Sequence, residues 1–348
     1  MTRSPLRVLV LSDDQPGHYN LSRGIVAALR RIQPVQESWM TLKLRTGLGR
    51  NLMRAYLNRV HQPASCRWLR LFYSMTRFPA GACDLIVSAG GKTSFANAWL
   101  ARRVGVPNLY AGSLRRLSPQ LFTVVLTLEP VRGASGNLVL DLPPSAIDFG
   151  ALQIEGERFL EQLGLAGQPC WTLLIGGNGA GYQDRRQDWQ ALARLMNALA
   201  SRYDIRWLLV SSRRSGKRAE HLLRDNLDAG IVAAHSWYEE GGGFRVDPWL
   251  GAGQRIFVTE DSMTMLTEAI YSRRPVVSLR PQRAVPTDRY ERMMQRFADS
   301  GYLCRYALTE LSQQPGMLEG RQCGVLEVSP LDELAGQLRK RLGMAQTH

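Results

Sequence analysis

The chain has 348 residues, enough for two α/β domains of about 150 to 180 residues each, and its 45% apolar and 21% charged composition excludes a disordered or fibrous chain. Lys and Arg number 44 against 30 Asp and Glu, and the resulting charge of +14 attracts acidic partners: nucleic acid, anionic lipid headgroups or phosphorylated substrates. The five cysteines, Cys66, Cys83, Cys170, Cys304 and Cys323, show no short paired spacing, which argues against a zinc site and a disulfide framework and fits a reducing cytosol.

Leu6 to Leu11 (LRVLVL) reads as a buried strand, followed by the loop SDDQPGH and an amphipathic helix near Leu21 to Ile32. The N-terminus runs directly into that strand, and no apolar run reaches about 18 residues, so neither a signal peptide nor a membrane span is expected. Any membrane contact is then peripheral and from the cytoplasmic side. Asp13, Asp14 and His18 lie on the strand's exit loop and are candidates for activating an acceptor hydroxyl, with His18 preferred as the base because imidazole accepts a proton near neutral pH. An Asx turn at Asp13 or Asp14 and a structural role for His18 compete with that assignment.

Between Glu37 and Asp84 there is no acidic residue. Lys43, Arg45, Arg50, Arg54, Arg59, Arg67, Arg70 and Arg77 are interleaved there with Leu42, Leu44, Leu48, Leu52, Met53, Tyr56, Leu57, Trp68, Leu69, Leu71, Phe72 and Tyr73 at helical spacing. Such a segment fits an interfacial helix on an anionic membrane, or a core helix with a solvated basic face. No helix-turn-helix, zinc or RNA-binding signature accompanies the charge, so nucleic acid is not an expected partner.

Asp84 to Ser88 is a strand, Gly90, Gly91, Lys92 and Thr93 form a strand-to-helix turn, a helix runs to Val104, and strands follow at Pro107 to Ala111 and Thr123 to Leu128. Lys92 and its neighbours are candidate acceptor contacts, with a capped helix beside a tight turn as the alternative. Gly133 to Ser145 is rich in Gly, Pro, Ser and Asn and marks a domain boundary.

After a helix near Ala151 to Leu165 the alternation restarts. Strands are expected at Thr172 to Ile175, Arg206 to Ser211, Gly230 to Ala234, Arg255 to Thr259 and Val276 to Leu279. Helices are expected at Asp188 to Arg202, Lys217 to Leu227, Pro248 to Ala252, Met263 to Ser272, Arg289 to Ser300 and Leu331 to Leu342. Gly176, Gly177, Asn178, Gly179 and Gly181 follow the first of these strands, where backbone N–H groups can converge on an anion, although the spacing is neither a P-loop nor GxGxxG and also suits a tight turn. Ser211, Ser212, Arg213 and Arg214 end the next strand and suit diphosphate oxygens, or form a solvated charge run. Glu239 to Gly243 reads as a flap, and Asp247, Pro248 and Trp249 as the start of a helix walling a base pocket. No DxD-like motif stands at a strand end, so metal-free diphosphate binding is expected, with a nucleotide sugar as co-substrate and no cofactor.

The most informative segment is IFVTEDSMTMLTEAIYSRRPVVSL. Ser262 is positioned to cap a helix whose free N–H groups around Asp261, Ser262, Met263 and Thr264 suit a phosphate, and Glu268, further along, suits the ribose hydroxyls. Ordinary capping with a partly exposed Glu is the competing account.

Glu260 and Glu268 stand in an E-x7-E spacing, and with the following Arg-Pro-Val this resembles the donor-binding helix of GT-B glycosyltransferases, in which the second glutamate holds ribose. SDDQPGHYNLSRGI, LIGGNGAGY, SSRRS and VTEDSMTMLTEA together resemble the Elm-type mitochondrial-fission family, assigned as glycosyltransferases. The chain departs from that family at Asp14-Gln15, where Gly-Lys is usual, and at Arg274, where Gly is usual. The resulting expectation is an α/β protein of two Rossmann-like doubly wound domains facing a cleft, GT-B-like: an acceptor-side domain over 1–148, a nucleotide-sugar domain over 149–330, and a final helix, 331–348, packing back on the first. The function expected is transfer of a sugar to a lipid-linked or cell-envelope glycan at an anionic membrane surface. A nucleotide-sugar epimerase and a non-catalytic scaffold are the alternatives.

Overall fold

A computed structural model describes residues 4–76, 81–241 and 245–344. The chain divides into two compact units, residues 1–146 with 328–348, and residues 147–327.

In the first unit the elements run β1 (Leu6–Ser12), α1 (Pro16–Arg30), β2 (Val35–Leu44), α2 (Gly47–Leu57), α3 (Leu69–Phe72), β3 (Tyr73–Met75), β4 (Leu85–Ala89), α4 (Ser94–Val104), β5 (Asn108–Ala111), β6 (Val124–Thr127) and β7 (Asn137–Val139). They form one sheet of order β3-β2-β1-β4-β5-β6-β7, parallel except where β3 runs against β2. Central strands such as LRVLVLS and LIVSA are apolar on both faces because helices cover both sides, as a parallel sheet requires.

The second unit holds α5 (Phe149–Gln162), β8 (Cys170–Ile175), β9 (Tyr182–Gln183), α6 (Arg186–Tyr203), β10 (Arg206–Ser211), α7 (Gly216–Asn226), β11 (Val232–Ser236), α8 (Asp247–Ala252), β12 (Ile256–Thr259), α9 (Met263–Tyr271), β13 (Val276–Arg280), β14 (Arg283–Ala284), α10 (Asp288–Asp299), β15 (Cys304–Ala307) and α11 (Leu308–Gln313). Its parallel sheet has the order β11-β10-β8-β12-β13-β15, and β9 pairs antiparallel with β14. The closing helix, α12 (Pro330–Arg341), belongs to the first unit and packs on α1. Both sheets follow the doubly wound order in which the first strand lies at the centre and the chain reverses beside it, so each has its own switch point, after β1 and β4 in the first unit and after β8 and β12 in the second, where such sheets bind ligands.

Two expectations from the sequence are corrected. The basic stretch from Lys43 is not one helix: it is the end of β2, then α2 capped by Thr46 Oγ1, which accepts the Gly49 N–H at 3.2 Å, then a 3₁₀ turn, α3 and β3. Its apolar residues accordingly split, with Leu42, Met53, Leu57, Leu69 and Tyr73 in the core and Leu52, Trp68 and Leu71 exposed. Arg77 lies outside the described residues, as do Gly242 and Gly243 of the expected flap. Cysteine pairing also occurs: Cys304 on β15 is disulfide-bonded to Cys323, with Cα atoms 5.3 Å apart, because the chain after α11 folds back over the sheet edge. Among the described residues no helix is long and apolar enough to cross a membrane.

Candidate functional site

In the first unit the chemistry gathers behind β1 and β4. Asp13 is buried at the β1 exit, and His18, on the first turn of α1, reaches back so that Nδ1 lies 2.9 Å from Asp13 Oδ1 and 3.0 Å from Oδ2. A carboxylate in this position selects the tautomer that donates from Nδ1, leaving Nε2 as the acceptor of a half-exposed ring. The arrangement depends on Gly90, at φ +86°, because a Cβ there would lie 2.2 Å from His18 Nδ1.

Asp14 is separated from this pair. Its backbone is left-handed, with φ 57°, and its carboxylate turns to Thr41 Oγ1 at 3.2 Å and Lys43 Nζ at 3.8 Å on the surface. Thr93 is fully buried and donates to the Ala89 and Gly90 carbonyls at 2.9 Å, so it holds the turn rather than presenting to a ligand. Gly91 lies against Arg115, and Lys92 is exposed while its carbonyl accepts the Tyr73 hydroxyl at 2.6 Å.

In the second unit three segments meet at the carboxyl ends of β8, β10 and β12. The Gly176 N–H donates to Thr259 Oγ1 at 2.7 Å, and Ser212 Oγ donates to the Gly176 carbonyl at 2.9 Å. Gly177 has a φ of +155°, and a Cβ there would strike the Arg214 carbonyl at 2.0 Å; Gly179 lies against the Arg214 guanidinium. The glycine loop, the Ser212 to Ser215 turn and the β12 exit are thus locked together, with Asn178 Oδ1 accepting the Asp184 N–H at 2.9 Å on the far side of the loop.

Asp261 is the hinge of this contact. It is buried, accepts from Thr259 Oγ1 at 2.7 Å, and stands 2.7 Å from Arg214 Nη2. Its Oδ2 lies off the line of any N–H, so Arg214 is bound to it by charge rather than by an aligned hydrogen bond. Burial raises the Asp261 pKa, and Arg214, Thr259 and the Gly177 N–H oppose that rise. Arg213 is exposed beside it. Ser262 occupies the N-cap of α9 without a side-chain capping bond, contrary to the expectation from sequence, so the first-turn N–H groups from Met263 onward carry no side-chain cap. Glu268 lies half-buried on α9, about one and a half turns on.

Two expected ligand contacts are committed elsewhere. Glu260 is fully enclosed and binds Arg305 in a fork, 2.6 Å to Nε and 2.9 Å to Nη2, with further bonds from Tyr182 at 3.2 Å and Ser278 at 3.1 Å. Burial alone would lower the Arg305 pKa, but its bonds to Glu291 and Glu260 outweigh that and raise it. Ser211 gives its hydroxyl to Glu220 at 2.6 Å and accepts the Tyr238 N–H at 2.7 Å.

Two residues of the site carry no motif in the sequence. Arg305 is the partner of Glu260, and Asp184, following the glycine loop, faces Asp261, Asp188 and Arg214 with a carboxyl pushed up to about 7 by burial and by those two aspartates. Asp184 was not expected from sequence, where its one signal is its place in the polar Tyr-Gln-Asp-Arg-Arg run directly after the glycines. Among the described residues no group of three or more His, Cys, Asp or Glu could hold a metal ion.

The solved structures similar to this chain include UDP-GlcNAc 2-epimerase from Methanocaldococcus jannaschii, with 13% identity, 98% of this chain and 100% of that one covered, and a TM-score of 0.56. UDP-GlcNAc 2-epimerase from Neisseria meningitidis bound to UDP-GlcNAc matches with 10% identity, 98% and 100% coverage and a TM-score of 0.53. The ADP-heptose lps heptosyltransferase II of E. coli matches with 15% identity, 97% and 98% coverage and a TM-score of 0.49. At such identities the likeness establishes the fold, two Rossmann-like units of the GT-B type. No curated protein matches the chain in sequence. The profile of the family described as Mitochondrial fission ELM1 matches residues 16–342, from the α1 start that carries His18 to the end of α12, and the chain belongs to that family.

Proposed function

We propose that the protein is a glycosyltransferase that moves a sugar from a nucleotide-sugar donor to a lipid-linked or cell-envelope glycan acceptor of the lipopolysaccharide type. The observation that carries this is the Asp13–His18 pair, a base with its tautomer fixed and its second nitrogen left as acceptor, in a chain whose other unit has an arginine-lined, uncapped helix start. His18 Nε2 takes the proton of the acceptor hydroxyl as that oxygen bonds to the anomeric carbon. The bond from that carbon to the diphosphate oxygen breaks, and its electron pair leaves with the nucleoside diphosphate. The α9 N–H groups, Arg214 and Arg213 receive the charge that develops there, and Glu268 holds the ribose.

The UDP-GlcNAc bound by the Neisseria meningitidis protein of this fold makes UDP sugars the first donors to test. Leu52, Trp68 and Leu71, exposed among Arg50, Arg67 and Arg70, support contact with an anionic membrane at its cytoplasmic face, where lipid-linked acceptors lie.

The test is product analysis with a panel of labelled UDP, ADP and GDP sugars, with and without lipid extract as acceptor. Transfer that requires the extract and fails in His18→Ala supports the proposal. A donor altered in its sugar ring without acceptor supports epimerisation, the activity named for two of the similar solved structures. Vesicle binding with no turnover, unchanged in His18→Ala and Glu268→Ala, supports a scaffold.

A further inference from the structure

We propose that Asp184 is a proton-carrying residue of the donor cradle, which binds the diphosphate as a neutral acid, so that nucleotide-sugar binding takes up one proton. This rests on the reading of the second unit as the donor site.

The inference starts from a polar atom without a partner. Asp184 follows the glycine loop, tied to it by its own N–H on Asn178 Oδ1, and its Oδ2 is buried with no hydrogen bond. A buried carboxylate oxygen left without a partner is costly, and that cost falls when the carboxyl is protonated. Its surroundings favour the neutral form. Asp261 faces it from the β12 exit and Asp188 from the first turn of α6, and Arg214, from the β10–α7 turn, is the cation that opposes them. Asp188 is itself buried and saturated by the N–H groups of Arg185 and Gln282, each at 2.9 Å. Arg185 on the same strap and Arg283, across from Gln183 in the β9–β14 pair, are exposed to solvent.

Arg214 is the element a donor would change. It is held to Asp261 by charge with no aligned hydrogen bond, and it flanks Gly177 and Gly179, where the diphosphate is placed. A diphosphate there adds negative charge beside Asp184 and draws Arg214 towards itself, and both changes oppose ionisation of Asp184. The protonated carboxyl has one O–H to donate, from the side that now lacks a partner, to a phosphoryl oxygen. A carboxylate would repel the same oxygen.

The direction of the pH effect follows. Burial and the neighbouring Asp261 and Asp188 push the carboxyl up to about 7, and a bound anion pushes it higher. Below the free value the residue is already protonated and affinity is flat. Above it each binding event must take up a proton, and affinity falls by about tenfold per pH unit until the bound-state value is reached.

The experiment is isothermal titration of the full chain with UDP-GlcNAc and, in parallel, ADP-glucose, chosen because their diphosphate diesters do not titrate near neutral pH. Affinity is measured from pH 6 to pH 8.5 and the heat is compared in two buffers of different ionisation enthalpy. The expected result is uptake approaching one proton at the upper end and loss of affinity there, both abolished in Asp184→Asn, which keeps a donor but cannot titrate; equal unfolding midpoints establish that the variant is folded. Binding with a flat pH profile and no buffer dependence, or the wild-type slope retained in Asp184→Asn, overturns the role of Asp184 while leaving the donor site standing. No binding of either sugar nucleotide at any pH overturns the donor-site reading and this inference together.

Discussion

The two units use one strand order and bury one aspartate at a central strand exit, yet they give that aspartate different partners. Asp13, after β1, holds a half-exposed histidine, whereas Asp261, after β12, holds an arginine. Imidazole exchanges a proton near neutral pH and guanidinium does not, so under the proposed function the first constellation moves a proton and the second holds fixed charge against an anion. The same buried carboxylate therefore orients a histidine in one unit and an arginine in the other.

The largest effect expected is on turnover. His18→Ala removes the base and lowers kcat by about 10²–10⁴-fold with little change in donor affinity. Asp13→Asn leaves the ring in place but frees its tautomer, and its loss falls on kcat too. A steady-state assay alongside a donor titration checks both, and a His18→Ala defect confined to donor affinity would break the comparison.

Next is Glu260, whose role is internal to the second unit. Removing it leaves Arg305 half of its fork in a buried place, so Glu260→Ala costs about 3–5 kcal/mol of stability, read by denaturant unfolding. Glu268→Ala, at a half-buried position, costs less stability than Glu260→Ala and weakens donor binding. Were the two glutamates to behave alike, the separation of buried tether from ligand contact would be wrong.

That separation was not readable beforehand. The E-x7-E spacing marks both glutamates alike, and only the fold puts Arg305, far along the chain on β15, against the first of them. The βα alternation was legible because strands such as LRVLVLS and IFVT are apolar on both faces and end in Gly or polar turns. β2 was not: VQESWMTLKL mixes polar and apolar residues because its far end lies next to the short β3 at the sheet edge, and those residues merged with α2 into an apparent long helix. β7 and β15 carry no such apolar run: NLV has only three residues, and CRYA sets an arginine between its two buried positions. His18 and Asp13 were both singled out from sequence, but their pairing required the turn at Asp14 to bring position 18 back over position 13. What sets Asp184 apart is burial, which no spacing encodes.

A smaller effect is expected from the cation. Arg214→Ala removes a charge-assisted contact and weakens donor binding by about 1.5–3 kcal/mol, with kcat at saturating donor less affected. Arg214→Lys restores part of it. The smallest effects concern the surface: Leu52→Glu with Trp68→Glu reduces binding to anionic vesicles in a flotation assay without changing donor affinity, and the remaining binding, carried by arginines, falls as salt rises.

The central claim is that the glycine loop, Arg214 and the start of α9 form a nucleotide-sugar cradle. It is tested most directly by thermal unfolding of the wild type and Arg214→Ala against a panel of UDP, ADP and GDP sugars. A ligand at 100 times its Kd adds about 2.7 kcal/mol, so at least one nucleotide sugar is expected to raise the wild-type midpoint by several degrees and the variant's by clearly less. A panel in which no member shifts the wild type, or in which Arg214→Ala shifts equally, would contradict it.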